Sequence, residues 1–317
     1  MTRSISLIAI LTVLFAPSGA RGAGLKPKLK PGVGIHYVVN LRSDQTWKIE
    51  SAPGEPPREI KRVSESEVGM RLRCSEVRAD GSAVLAWTLL YITMSTEGSA
   101  AMKYDSRDPA QADSPEAYLL EQIINQPATV TIDATGEVLE YKDPPSLGGG
   151  PIRELMSPVF TEEAFENLGL FLTRGAPADA AVGSVWSQTQ SRDLPDGRGS
   201  TLVNSDYKLD GLEDDGKTAR ITVDGTVAMN KPKPAEDGGA AAPPGMVIDK
   251  GTHKGVGRWD CAAGQAISGD FSGTVTGTIR GSFGSADFET IRTGKIKRTM
   301  PEEFQRALAP RVSPPSD

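Results

Sequence analysis

Residues 82–95, SAVLAWTLLYITMS, form the longest apolar run outside the N-terminal region, and they decide the fold of this chain. The run is rich in β-branched and aromatic residues, which fit the pleated surface of a sheet. Its two alternating faces are both apolar, with Trp87 and Tyr91 on one face and Val84 and Ile92 on the other. A strand with one solvated face would alternate with polar residues. The pattern therefore predicts a strand that is covered on both sides.

Short turn sequences that contain Asp and Gly separate this strand from further strand-like runs. They lie at residues 79–81, 133–136, 213–216 and 260–264. Such turns are typical of β-hairpins. Ser43-Asp44 is likewise predicted to close a hairpin between strands at 35–41 and 46–50.

Residues 265–279 show the alternation of a half-buried strand. Phe271, Val275 and Ile279 alternate with glycines on one face, and serine and threonine occupy the other face. This pattern indicates a sheet with one dry and one wet surface.

Helices are predicted at three places. Ser114 and Pro115 are the residue types of a helix N-cap and first position, and this helix should end near Gln126 because a proline follows. Residues 151–173 form a second helical segment with an apolar stripe, and residues 302–308 form a short third helix.

These elements together predict a mainly β (α+β) fold, with a curved antiparallel sheet or half-barrel built from two similar β-meanders and two or three helices inserted mid-chain. The halves are 30–142 and 182–298, joined by a helical segment at 143–181 within a single domain at 21–310, and residues 311–317 form a disordered tail. Residues 77–81 match residues 212–216 at a constant spacing. Two interpretations stay open, an internal repeat or the general likeness of Asp-Gly turns between strands.

The N-terminus has the pattern of a secretory signal peptide at residues 1–20. Arg3 precedes an apolar stretch at 5–16, and Ser18-Gly19-Ala20 supplies the small residues of a cleavage site. No cysteine follows the apolar stretch, so no lipid-anchor motif is present. The expectation is an exported protein, periplasmic or extracellular, that is peripheral to the membrane at most.

Charge and composition exclude several function classes. The net charge is −6 with basic and acidic residues interspersed, which argues against a nucleic-acid partner. The two cysteines, Cys74 and Cys261, either form a disulfide or serve as buried small side chains. No metal motif and no cofactor motif occurs, and no catalytic signature such as G-x-S-x-G is present. We therefore expect no cofactor, no metal and no enzymatic activity, although a hydrolase site assembled from distant residues stays open.

Four short motifs, in this order along the chain, carry a resemblance to a known family. They are L-K-P-G at 29–32, V-x-x-D-G at 77–81, T-I-D-x-x-G-E-V at 131–138 and V-G-x-x-W at 182–186. The chain resembles a family of exported bacterial proteins with a domain of unknown function, and the likeness covers nearly all of residues 21–317. This family implies no activity and no catalytic residues. The expected architecture is also similar to periplasmic lipoprotein- and lipid-carrier folds.

The sequence thus favours a non-enzymatic cell-envelope protein that binds an apolar or amphipathic ligand, such as a lipid, or an envelope partner. The candidate cleft residues are the large apolar side chains of the central strand and the helical segment: Trp87, Tyr91, Phe160, Leu168 and Phe171. Glycines at 148–150 and Gly175 would let residues 151–173 swing as a lid. The alternative is a structural or scaffolding β-domain without a ligand pocket.

Overall fold

The computed structural model of the chain describes residues 24–50, 56–98, 101–142, 165, 172–193, 200–230, 246–281 and 284–310. Its dominant feature is one antiparallel sheet of twelve strands. The mainly β fold expected from the sequence is therefore confirmed.

The first half of the chain supplies six strands. They are β1 (Gly34–Ile49), β2 (Arg58–Val77), β3 (Ala83–Gly98), β4 (Met102–Asp105), β5 (Pro127–Ile132) and β6 (Val138–Lys142). The second half supplies the other six. They are β7 (Val185–Asp193), β8 (Ser200–Glu213), β9 (Thr218–Asn230), β10 (Met246–Asp260), β11 (Gln265–Gly281) and β12 (Gly284–Thr299).

The strand order is β6-β5-β3-β2-β1-β12-β11-β10-β9-β8-β7, and β4 also pairs with β3. Each half is thus a meander, and the two meanders run across the sheet in the same direction. The first strand and the last strand join them, with fourteen consecutive residue pairs from His36–Thr299 to Ile49–Ala286.

Turn chemistry closes the predicted hairpins at the expected positions. In the β5–β6 turn the Asp133 carboxylate accepts hydrogen bonds from the backbone N–H groups of Thr135 and Glu137. In the β10–β11 turn the Asp260 carboxylate accepts from Ala262 and Ala263 in the same way. Glycines with positive φ complete both turns, so the Asp and Gly of each motif have separate roles.

The predicted hairpin at Ser43-Asp44 is wrong, because β1 continues through it as one strand of 16 residues. Ser43 pairs with Ser64 on one side and with Arg292 on the other. Polar residues do not end the strand here. Arg42 forms ion pairs with the Asp44 carboxylate on its own strand and with the Glu65 carboxylate on β2.

The placement of Tyr91 on the same face as Trp87 is also wrong. A β-bulge lies between the pairs Gly69–Tyr91 and Met70–Leu89, so one extra residue enters β3 at Leu90. This reverses the alternation beyond the bulge. A strand buried on both faces gives no sequence signal for such a slip, because every residue near it is apolar.

The core lies on one face of the sheet, which we call the inner face. Trp87 is fully buried there and its ring lies 5.1 Å from that of Phe165 and 6.4 Å from that of Tyr141. Helix α1 (Pro115–Leu120) covers this face with Leu120, and the Ser114 side chain caps the helix as expected. The helix is shorter than predicted, because residues 121–125 form turns.

The opposite, outer face of β3 is covered by helix α2 (Pro301–Leu308). Phe304 of this helix is fully buried between His36, at 4.7 Å between ring centroids, and Tyr91, at 6.0 Å. The central strand is therefore covered on both sides, as its sequence predicts.

Several predicted features lie outside the described residues. They are the signal peptide at 1–20, the tail at 311–317 and most of the helical segment at 151–173. Within that segment Phe165, Leu172 and Thr173 are described. Phe165 is helical and buried, whereas residues 172 and 173 lie in a turn rather than in the predicted helix. Gly175, predicted to follow the helix, has the left-handed φ of +71° that this position requires.

Candidate functional site

A groove of about 950 Å³ lies on the sheet, and eight neighbouring strands from β4 to β9 line it. In a flat sheet, strands spaced about 4.8 Å apart would place the first and the eighth roughly 34 Å from each other. A single groove reaches both of them here, so the sheet is strongly curved. Each of these strands contributes three consecutive residues to the groove, and the middle residue of the three lies on the inner face, as the core residues do. The inner face is therefore the concave face of the sheet.

One row of paired residues forms the floor of this groove, and we call it the groove row. Its members follow from the strand register: Val223, Gly255, Phe271, Gly294, Leu41, Ser66, Met94 and Tyr104, and the same row continues beyond the groove to Tyr207 on β8. The side chains of Leu41, Met94, Val223 and Phe271 are only half-buried. They offer apolar surface within a concave site, which is the usual composition of a pocket for an apolar ligand.

Glycine allows the close packing of this floor. The Phe271 ring lies over Gly294 on the neighbouring strand, at a distance that a Cβ atom on Gly294 would not permit. Strand glycines of this kind mark places where a sheet bends sharply and an aromatic ring covers the backbone. Gly294 thus serves both the curvature and the position of the largest apolar side chain in the groove.

The next row toward the far end of the strands is polar, and we call it the polar row. It consists of Gln188, Ser205, Gly225, His253, Gly273, Arg292, Ser43, Ser64 and Thr96. The His253 ring leans over Gly225, and its Nε2 lies 2.9 Å from the Ser205 hydroxyl. Burial raises the pKa of Tyr207, against a smaller opposing effect of the Ser205 hydroxyl.

Acidic residues are absent from three successive rows of the inner face between β8 and β2. These are the groove row, the polar row and the row that follows at Gln45, all within the described residues. Arg292 and Arg62 supply the permanent positive charges of these rows. The side chains of these inner-face rows therefore differ in charge from the chain as a whole, which is acidic.

Among the described residues, the Ser205–His253 contact is the arrangement of side chains most similar to a hydrolytic site. Burial lowers the pKa of His253, against the smaller opposing effect of Asp224. Asp224 pairs directly with Lys254 and Asp206 and faces the outer surface, whereas His253 faces inward. A catalytic triad needs a carboxylate hydrogen-bonded to the second ring nitrogen, and Asp224 is turned away from that position.

Of the residues predicted to line a cleft, the structure describes Trp87 and Tyr91, and neither of them lines this groove. Trp87 is 1% exposed in the closed core below it. Tyr91 lies on the outer face, where the Arg107 guanidinium stacks 3.9 Å from its ring centroid. Phe160, Leu168 and Phe171 lie outside the described residues.

Sequence reasoning missed Leu41, Met94 and Val223 as groove residues, because each is one apolar residue in a separate strand. Phe271 did carry a signal, since its alternation with glycines predicted a dry face in β11. The sequence could not show which strands become neighbours, or which of their residues lie side by side in the groove row. That information lies in the curvature and register of the whole sheet.

Both cysteines are free thiols in the structure. Cys74 is buried, and its Sγ contacts the Glu76 carbonyl oxygen. Cys261 is half-buried, and its Sγ lies 3.9 Å from the Trp259 carbonyl oxygen. Burial is the main cause that raises the pKa of both thiols.

In the part of the chain that the structure describes, no group of three or more His, Cys, Asp or Glu side chains could hold a metal ion. None of the described helices is long and apolar enough to cross a lipid bilayer.

Comparison with known proteins assigns no family. No family model matches the chain, and no curated protein matches it either. Among solved structures, one of lipid–protein interactions in lipovitellin is similar with a TM-score of 0.49 and 11% identity, over 91% of this chain and 27% of that one. This chain therefore spans about a quarter of the lipovitellin chain that it matches.

Two further likenesses are weaker. DynF from the dynemicin biosynthesis pathway of Micromonospora chersina aligns with a TM-score of 0.21 and 9% identity, over 87% of this chain and 90% of that one. An outer membrane channel from Pseudomonas putida F1 aligns with a TM-score of 0.21 and 11% identity, over 86% of this chain and all of that one.

Proposed function

We propose that this protein is an exported, non-enzymatic binding protein that holds an apolar or amphipathic ligand against the concave face of its sheet. The observation that carries the proposal is the groove row, in which half-buried apolar side chains from separate strands line one cavity. A monomeric protein gains little from leaving such side chains accessible inside a concave surface, unless something binds there.

The size of the groove suits a lipid-like ligand. A volume of about 950 Å³ is near the upper end of the range for small-molecule sites. Each methylene group transferred from water into the groove stabilises the complex by about 0.8 kcal/mol. Apolar burial therefore supplies most of the affinity, and the affinity should vary only weakly with salt.

The test is binding of 1-pyrenedodecanoic acid, followed by its fluorescence, to wild-type protein and to a groove variant. Val223→Asp places a charge on the groove floor and should weaken binding at least tenfold. Thr226→Asp is the matched control, since it puts the same charge on the same strand but at an exposed position facing outward. Circular dichroism establishes that both variants fold.

Three results would count against the proposal. Wild-type protein that binds no acyl probe would favour the alternative of a structural β-domain. Equal losses in Val223→Asp and Thr226→Asp would place the ligand elsewhere. Hydrolysis of an ester probe that disappears in Ser205→Ala would replace a binding protein by a hydrolase.

A further inference from the structure

The ligand groove has a chemically distinct end. The groove row is mostly apolar, and the polar row beside it carries Arg292, His253, Ser43 and Ser205 on the same inner face. Successive rows on one face of a strand lie roughly 6.6 Å apart, twice the rise per residue. One ligand can therefore contact both rows.

Gly273 lies between Arg292 and His253 in the polar row. It has no side chain, and the His253 ring leans the other way, over Gly225 toward Ser205. Gly225, His253 and Gly273 line a cavity of about 640 Å³, which leaves space for a small polar group near the backbone at Gly273.

Ser43, the partner of Arg292 on β1, supports the same position. Its hydroxyl is buried and has no hydrogen-bond partner among the described residues. A buried polar atom without a partner costs free energy and is rare in folded proteins. A ligand group that receives a hydrogen bond from this hydroxyl would remove that cost.

Charge decides which group fits. Neither the polar row nor the rows next to it on the inner face contain an acidic residue between β8 and β2, while Arg292 is permanently cationic. Burial keeps His253 mostly neutral at pH 7, since it lowers the pKa of the imidazole. Arg292 is therefore the permanent charge that the inner face itself presents at the head position, and it complements an anion.

We propose that the ligand is a single-chain amphiphile with a carboxylate head, the chemistry of a fatty acid. Its hydrocarbon chain lies along the groove row, and its carboxylate is bound by Arg292 at Gly273. This inference rests on the proposed function, since it names the ligand class of the same groove. A guanidinium binds a carboxylate through two parallel hydrogen bonds, so the head adds selectivity to the affinity of the chain.

The experiment compares amphiphiles that share one chain and differ in the head group. Isothermal titration calorimetry measures binding of dodecanoate, dodecanol, dodecyl phosphate and dodecyltrimethylammonium, each below its micellar concentration. Dodecanoate should bind on the order of tenfold more tightly than dodecanol, because one charge-assisted hydrogen bond contributes a free energy that corresponds to roughly this ratio. Dodecyl phosphate should bind no more tightly than dodecanoate.

Variants test the role of Arg292. Arg292→Gln should abolish the preference for dodecanoate over dodecanol, and Arg292→Glu should shift the preference toward dodecyltrimethylammonium. Lys297→Gln is the matched control, because it removes an exposed cation from the outer face of the same strand, outside the groove lining, and should leave the preference unchanged. Arg292 is itself exposed, so these variants are expected to fold.

The outcomes separate this inference from the proposed function. If dodecanol and dodecanoate bind equally, or if Arg292→Gln keeps the preference, the carboxylate assignment fails and the apolar groove stands. Tighter binding of dodecyl phosphate would also overturn the carboxylate. If no amphiphile binds, or if Val223→Asp binds all of them as wild type does, both the inference and the proposed function fail.

Discussion

Trp87 of the central strand β3 packs in the apolar core on the inner face of the sheet. It is 1% exposed and contacts the rings of Phe165 and Tyr141. Trp87→Ala should therefore lower the free energy of unfolding by about 3–5 kcal/mol, because a large side chain leaves a cavity that its neighbours cannot fill. Urea denaturation measures this change.

Trp47→Ala serves as the control for this prediction. Trp47 also points to the inner face but is only half-buried, so its removal should cost clearly less. Equal urea midpoints for wild type and Trp87→Ala would show that Trp87 does not lie in the core.

Single residues also show where sequence reasoning reached its limit. The burial of Trp87 follows from its apolar surroundings in the sequence, and the turn roles of Asp133 and Asp260 follow from their side-chain chemistry. The orientation of Tyr91 does not, because one inserted residue at Leu90 reverses it. Such a bulge depends on the pairing of β3 with β2, which no local pattern in β3 reveals.

At the scale of elements, α2 is held on the outer face by a buried cation. The Arg107 side chain is 4% exposed, and its Nη1 donates a 2.8 Å hydrogen bond to the Ala307 carbonyl oxygen at the C-terminal end of the helix. Positive charge at that end complements the helix dipole. Arg107 also pairs with Asp105 at 2.9 Å, so its buried charge is compensated.

The contact between α2 and β1 predicts a dependence of stability on pH. His36 packs against Phe304, and burial, with a further contribution from Arg71, lowers the pKa of its imidazole. In the unfolded chain the imidazole pKa is about 6.5. Below that pH the unfolded state takes up more protons than the folded state. The free energy of unfolding should therefore fall as the pH falls from about 7.5 to 5.5.

His253, whose pKa is also lowered, acts in the same direction. His36→Phe keeps a ring against Phe304 and removes the titrating group, so its stability should change less over this pH range. The double variant His36→Phe/His253→Gln should change least. Urea denaturation at several pH values measures this, and a wild-type protein that gains stability as the pH falls would contradict the assignment.

The elements that were predictable are those with a local signal. Ser114 and Pro115 marked the start of α1, and Asp-Gly turns marked the hairpins. The predicted turn at Ser43-Asp44 was wrong because the same polar residue types occur in turns and in solvated strands. Only the pairing of β1 with β2 and β12 distinguishes the two.

At the scale of the molecule, the two meanders were predictable from the order of strands and turns, and the groove was not. Leu41, Val223 and Phe271 lie far apart in the sequence and meet only through the register of the curved sheet. Local periodicity carries no information on that register, which depends on the join between the two meanders.

This join predicts how the molecule unfolds. The pairing of β1 with β12 extends over nearly the whole length of both strands, and one apolar cluster includes Trp87 from the first meander and Trp259 from the second. If one meander unfolded alone, the other meander would be left with an unpaired edge strand and with its part of the apolar cluster exposed to water. The two halves should therefore unfold in one cooperative transition.

The two cysteines supply a probe in each half, because Cys74 lies in β2 and Cys261 follows β10. The variants Cys74→Ser and Cys261→Ser each keep one thiol. In each variant, the urea midpoint of thiol labelling should coincide with the urea midpoint of unfolding measured by fluorescence in that same variant. Wild-type protein should label at both thiols after unfolding without reductant. Two separated labelling transitions would mean that the meanders are independent units, and a missing thiol would mean that the cysteines are paired.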